Sequence, residues 1–180
     1  MKIVVVGTRG IPDIQGGVET HCEELYPRLA AMGHDVRVVR RSCYVTPQNK
    51  IKEYKGVHLK DIYAPRRKSI EAIVHTFLAI IYARWVGADV LHIHAIGPAL
   101  LTPLARLLGL RVVMTHHGPD YDRQKWNKTA KSVLRWGERM GANYANEVIV
   151  ISTVIDNILR EKYDRTDAHL IYNGVNKPVT

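Results

Sequence analysis

The chain has 180 residues, 46% of them hydrophobic, and a formal net charge of +9. That is enough apolar material for one domain with its own core, and it excludes a disordered chain. The charge favours anionic partners such as nucleotide phosphates, an acidic membrane surface or nucleic acid, yet the basic residues are dispersed and only Arg66, Arg67 and Lys68 form a short run.

The first predicted element is a strand, "KIVVV" (Lys2 to Val6), whose β-branched run suits a strand covered on both faces. A glycine-rich loop, Gly7 to Gly17, leads into a helix predicted from about Val18 to Met32, mildly kinked at Pro27 and closed by Gly33. His34 to Arg41 predicts a second strand. A polar, lysine-rich stretch follows, and Gly56 to Tyr63 predicts a third strand. Ser69 to Val86 predicts a buried apolar helix. Its longest apolar stretch contains Glu71, His75 and Arg84 and is shorter than the ~20 clean residues that span a bilayer. Then come a strand (Ala88 to His94), a helix opened by proline (Pro98 to Leu108) and a strand (Leu110 to His117). A helix (Lys125 to Ala142), a strand (Asn146 to Ser152), a helix N-capped by Ser152 (Thr153 to Tyr163) and a short strand with a turn (Ala168 to Val175) complete the chain.

Strands alternating with helices predict an α/β fold, a Rossmann-like doubly wound parallel sheet. In such sheets ligands bind outside the carboxyl ends of the strands, and three loops sit there: Gly7 to Gly17, His94 to Pro98 and His116 to Asp122. In the first, Gly16 and Gly17 directly precede a helix. Bare backbone amides and the partial positive charge of a helix start make an anion site, and Arg9 adds a guanidinium. The alternative there is a plain turn between strand and helix. Two phosphate motifs fail: no Lys-Ser or Lys-Thr follows Gly16-Gly17, and Gly7 and Gly10 are spaced "GTRG" rather than GxGxxG. Arg40 and Arg41 stand at the tip of the second strand where an acidic residue is needed, so a nicotinamide dehydrogenase is disfavoured. His92 and His94 share one strand face, a geometry that zinc sites use, but no third ligand is evident. Cys22 and Cys43 match no metal spacing and no disulfide framework, which points to a reducing cytoplasm. One phenylalanine and nine tyrosines form no stacking platform, so nucleic acid is not an expected partner.

Four segments in order carry a resemblance: "GTRGIPDIQGGVETHCEELYPRLAAMGHDV", "VVMTHHGPDYDRQKW", "LRWGERMGANYANEVIVIS" and "LIYNGVN". They resemble family 4 glycosyltransferases of the two-domain GT-B architecture, nearest the branch with a GTRGIP start linked to rhamnosyl transfer or polysaccharide assembly. The likeness covers essentially the whole chain. It implies a retaining transferase with a nucleotide-sugar donor and a glycan or lipid-linked acceptor. Residues 1–175 would be the amino-terminal, acceptor-side domain and 176–180 the start of an interdomain linker. The carboxyl-terminal donor domain would lie outside this chain, leaving the chain inactive by itself. The alternative is a non-catalytic nucleotide- or nucleic-acid-binding module.

By the same resemblance, His117 is the catalytic candidate, contacting the donor sugar near the reacting centre. Gly16 and Gly17 would face the donor diphosphate, with Arg9, Gly118, Asp120 and His94 as further substrate-binding candidates. His116 would point to the opposite face and be structural. Asp120-Tyr121-Asp122 superficially matches the metal-binding DxD of the other glycosyltransferase architecture, but GT-B enzymes do not need a metal, so neither metal nor cofactor is expected. The implied place is the cytoplasm, with Arg66, Arg67 and Lys68 meeting anionic lipid at the inner membrane face.

Overall fold

The computed structural model describes residues 1–67, 70–122 and 126–174. Lys68 of the basic run, Lys125 and the expected linker 176–180 lie outside them.

Eight strands form one sheet in the order β3-β4-β2-β1-β5-β6-β7-β8. They are β1 (Lys2–Val6), β2 (Asp35–Arg41), β3 (Glu53–Tyr54), β4 (Val57–Ile62), β5 (Val90–His94), β6 (Val112–His116), β7 (Glu147–Val150) and β8 (His169–Leu170). Every pairing is parallel except β3 with β4. The helices are α1 (Gly17–Ala31), α2 (Glu71–Trp85), α3 (Thr102–Leu107), α4 (Lys128–Tyr144) and α5 (Thr153–Tyr163). The predicted strands and helices all appear, with their ends shifted by a few residues.

Side-chain alternation along β1 divides the core in two. Ile3 and Val5 pack with Val36, Val38, Cys22 and Tyr26 on the α1 side. Val4 and Val6 pack with Leu91, Ile93, Met114 and the Ala79–Ile80 turn of α2 on the other. Each fully buried aliphatic side chain of this kind contributes roughly 1.5–3 kcal/mol.

Three local departures from the expected elements have physical causes. The polar stretch contains β3, joined to β4 by a two-residue turn at Lys55 and Gly56, both with positive φ (46° and 85°). The first turn position usually calls for Asn, Asp or Gly, and a lysine there hid the hairpin. The helix expected at Pro98–Leu108 opens as a 3₁₀ turn over Pro98–Leu101 before α3. Pro103 has no N–H for the Ala99 carbonyl, which accepts the Thr102 hydroxyl instead at 2.6 Å. Finally, α4 starts at Lys128 because the Asn127 side chain caps it, its Oδ1 accepting the Ala130 amide at 2.8 Å.

The sheet order reverses between β1 and β5. The loops leaving their carboxyl ends flank a crevice, as doubly wound sheets require.

Candidate active site at the sheet switch point

That crevice is a cleft of about 730 Å³. Arg9, Gly16, Gly17, His117 and Asp120 all line it. The sequence candidates Gly118 and His94 do not: Gly118 shapes the turn behind His117, with φ +137°, and His94 is fully buried.

The four glycines of the first loop do different work. A β-carbon at Gly7 would sit 2.1 Å from the His94 carbonyl oxygen, so Gly7 lets β1 end flush against β5. One at Gly10 would lie 2.8 Å from Cγ of Arg40, and one at Gly16 would lie 2.7 Å from the Glu19 carboxylate. Only Gly17 has nothing within 4 Å of that position. Its neighbour Gly16 gives α1 no side-chain cap. The Glu19 carboxylate folds back over this first turn and accepts its own backbone amide, while the Gly17 side of the turn stays open to the cleft.

Arg40 fixes the shape of this loop. It is 1% exposed, and its Nε and Nη2 grip the Asp61 carboxylate at 2.6 and 3.0 Å. Its Nη1 donates to the carbonyl oxygens of Asn49 (2.7 Å) and Ile11 (3.4 Å), and Nη2 to that of Ile51 (3.2 Å). A buried guanidinium needs such partners at every donor. Arg41 lines the cleft, its Nη1 2.9 Å from Glu71 Oε2 and its Nη2 donating to the Gly7 carbonyl at 3.2 Å. The sequence marks these arginines only as the absence of an acidic residue. Neither their buried partners nor their loop-holding role has a local signal.

Glu19 was also missed. It is 6% exposed, lines the cleft, and lies 3.8 Å from Arg9 Nε and 3.5 Å from the Thr8 hydroxyl. Burial pushes its carboxyl up, against the opposing charges of Arg9 and Arg41.

His117 follows β6 and is half-buried at the cleft wall. Behind it runs a continuous series of hydrogen bonds on the α1 side of the sheet. His117 Nε2 is 2.9 Å from His94 Nδ1, and His94 Nε2 is 2.5 Å from Tyr26 Oη. Tyr26 Oη is 2.7 Å from His92 Nδ1, and His92 Nε2 is 2.7 Å from Thr115 Oγ1. His21 of α1 joins this group, its ring centroid 5.3 Å from that of His117 and 5.8 Å from that of His94. Burial lowers all four imidazoles, with neighbouring histidine charges adding to the effect except at His21. His117 falls to about 4, His92 to about 3, and His94 well below its ordinary value. At His21 burial lowers the pKa against an opposing side-chain hydrogen bond with Asn173. At pH 7 each therefore carries one N–H and one lone pair.

His116 faces the opposite side, as alternation along β6 requires. It is fully buried, its Nδ1 accepts the Gly118 amide at 3.0 Å, and these bonds assign its proton to Nε2, which donates to Glu138 Oε2 at 2.6 Å. Glu138 of α4 also accepts the hydroxyls of Tyr121 (3.0 Å) and Tyr163 (2.6 Å). Burial raises its pKa, but the hydrogen bonds from His116, Tyr163 and Tyr121 outweigh it and the net shift is downward. One carboxylate thus ties α4, α5 and the loop carrying Asp120 together. Gly137 of the same helix packs so closely on the β5 loop that a β-carbon there would be 2.0 Å from the Ile96 carbonyl oxygen.

The fold has known relatives. The chain matches, with 20% identity and a TM-score of 0.77, a sucrose-phosphate synthase from Thermosynechococcus elongatus, covering 97% of this chain and 48% of that one. Anabaena HepE, solved with UDP and glucose, matches at 13% identity and a TM-score of 0.67 over 97% of this chain and 45% of its own. Arabidopsis thaliana UGT89C1, solved with UDP-L-rhamnose, matches at 12% identity and a TM-score of 0.57 over 99% and 53%. The chain therefore has the fold of a GT-B glycosyltransferase domain and spans about half the length of these structures. No curated protein matches it in sequence. The family model described as Glycosyltransferase Family 4 matches residues 15–177, and the chain belongs to that family.

Proposed function

We propose that this chain is the amino-terminal, acceptor-side domain of a retaining glycosyltransferase, and that its cleft receives the diphosphate and sugar of a nucleotide-sugar donor. One observation carries the reading. Gly17, at a helix start that Gly16 leaves without a side-chain cap and with open space beside it, faces the same cleft as His117. The amides of that turn suit a phosphate oxygen, and the imidazole of His117 suits a sugar hydroxyl. The solved relatives HepE and UGT89C1 were captured with UDP or a UDP-sugar, which supports a UDP-sugar as donor class.

In this scheme the acceptor hydroxyl attacks the anomeric carbon on the face from which the diphosphate departs. The bond from that carbon to the phosphate oxygen breaks, the new glycosidic bond forms, and the hydroxyl proton passes to the departing phosphate. No protein nucleophile or cofactor is required. The chain contributes position and charge stabilisation: Gly16, Gly17 and Arg9 toward the phosphates, and His117 and Asp120, from the same loop after β6, toward the sugar. The second domain, which the half-length match to the solved relatives supports, would grip the nucleotide. The acceptor would be a glycan or a lipid-linked sugar of a cell-surface polysaccharide route.

No helix among the described residues is long and apolar enough to cross a membrane. For contact with an anionic membrane from the cytoplasmic side, support comes from α2, where Phe77, Ile81 and Trp85 form an exposed apolar stripe. Arg66 and Arg67 line the cleft instead. The test is a donor screen on the complete gene product, reading released nucleoside diphosphate. Release with no sugar nucleotide would reject the function, and turnover by the 180-residue chain alone would reject the two-domain part.

A further inference from the structure

We propose that His21, His94 and His117 form a binding site for a divalent transition-metal ion of the zinc, cobalt or nickel type at the inner wall of the cleft. The sequence offered His92 and His94 as a pair without a third ligand. The fold replaces His92 with His117 and supplies His21 from α1.

The distances suit such an ion. One nitrogen from each of the three rings lies within 4.8 Å of the others, and His94 Nδ1 and His117 Nε2 are 2.9 Å apart. A tetrahedral ion holding nitrogens at ~2.0–2.1 Å keeps them about 3.3 Å from one another. The cluster reaches that geometry when His94 and His117 part slightly and His21 closes. A donor set made only of imidazoles selects zinc, cobalt, nickel or copper over magnesium and calcium, which want oxygen.

The surroundings are those of a metal ligand. A ligating histidine usually donates its other ring N–H to a fixed acceptor, which sets its tautomer. His94 Nε2 faces Tyr26 Oη, and Tyr26 is itself held by His92. In the metal-free state one proton lies between His94 Nδ1 and His117 Nε2. A metal needs a lone pair on both. The hydrogen-bond series allows this without loss of a proton. Whichever ring holds that proton takes its other tautomer. With the ion bound, His94 carries its hydrogen on Nε2 and donates it to Tyr26, and the Tyr26 hydroxyl turns to His92 Nδ1. His92 Nε2–H donates to Thr115, and His117 carries its hydrogen on Nδ1. Since His117 lines the cleft, the ion's remaining coordination position opens there, to water or a substrate oxygen.

This goes beyond the transferase reading and is tested without a sugar nucleotide. Metal-stripped full chain is titrated with Co²⁺, followed by visible absorption, and with Zn²⁺, followed by calorimetry. One ion per chain is expected, with the Co²⁺ bands of a nitrogen-rich site of low coordination number. His21→Ala should weaken binding about 100-fold or more, and Tyr26→Phe, which removes no ligand, about 10–100-fold. His58→Ala, on the exposed face of β4, should change nothing. Circular dichroism checks that each variant folds. If His21→Ala does not, His117→Gln at its half-buried position takes its place, with the same expected loss. Absence of binding, binding untouched by loss of His21 or His117, or an equal loss in His58→Ala would overturn the site.

Discussion

The backbone of Gly7 lies directly against that of His94, with no room for a side chain between the ends of β1 and β5. Gly17, ten residues on, has open space. The two glycines should therefore respond oppositely to alanine. Gly7→Ala adds a β-carbon at positive φ (100°) onto a carbonyl oxygen and should cost about 2–5 kcal/mol, lowering the melting temperature sharply. Gly17→Ala should change stability by less than about 1 kcal/mol. In the complete enzyme it should weaken nucleotide-sugar binding about 10–100-fold, the worth of one lost bond to a charged phosphate. Thermal melts and a donor titration separate the two. Unchanged donor affinity in Gly17→Ala would remove the phosphate role of that helix start.

His117→Ala in the complete enzyme should lower kcat about 100-fold or more while changing stability by only about 1 kcal/mol, because the ring is half-buried and, in the proposed scheme, would hold the donor sugar. Turnover and melting temperature measured on the same preparation decide the matter. Losses of similar size in both would make the residue a packing element.

The buried histidines predict an acid-sensitive fold. Folded-state pKa values lie near 4 for His75 and His117 and near 3 for His92, against an ordinary 6.5. The unfolded chain binds protons below pH 6.5 that the folded chain refuses. Stability is therefore complete above about 6.5 and falls with pH down to about 4. Each histidine contributes at most about 1.4 kcal/mol per pH unit. Urea unfolding of the metal-free protein from pH 7.5 to 4 should show this slope. His75→Gln, which does not line the cleft, should reduce it by one histidine's share. A flat profile would contradict the burial of these rings.

Glu138→Ala should be among the most destabilising changes, since it leaves His116, Tyr121 and Tyr163 without their acceptor at about 1–3 kcal/mol for each orphaned donor. Its depressed pKa has the carboxylate sign. Its contribution is present above the ordinary 4.5 and disappears as pH falls through the lower folded value. Chemical denaturation of the variant at pH 7 checks the first statement. A loss below 1 kcal/mol would show that the three donors find water.

If α2 rests on a membrane, vesicles rich in anionic lipid should sediment the protein at low salt, and Trp85→Ala should weaken this. Trp85 is 83% exposed, so its loss should leave the fold intact. No sedimentation at low salt would dismiss the contact.

The alternating elements and the convergence of three loops were legible because β1, β5 and β6 are mostly apolar runs, β2 has an apolar Val36-Val38-Val39 centre, and the glycines sit at element ends. Gly17 was legible because it opens a periodic segment, whereas His117 was legible from the resemblance of the segment that follows the β6 run. The Tyr26–His92–His94 series was not. Its members lie 66 and 68 residues apart along the chain, and nothing local announces that Tyr26 reaches across the sheet. Arg40 was misleading, since a strand-end arginine ordinarily reaches solvent, and here it is enclosed by oxygens from three separate segments. The glycine count was also misleading in part. Gly7 and Gly10 make room for His94 and Arg40, not for a ligand.

The enclosure of Arg40 bears on how the transferase would work. Because Arg40 holds the Ile11 carbonyl and packs beneath Gly10, with the Asp61, Asn49 and Ile51 oxygens completing its shell, the glycine loop takes its form from the sheet edge before any donor arrives. The donor would meet a rigid receptor, and little conformational entropy would be lost on capture. Selectivity for the sugar would then be set by the outline of an already finished wall rather than by a loop that folds around its guest.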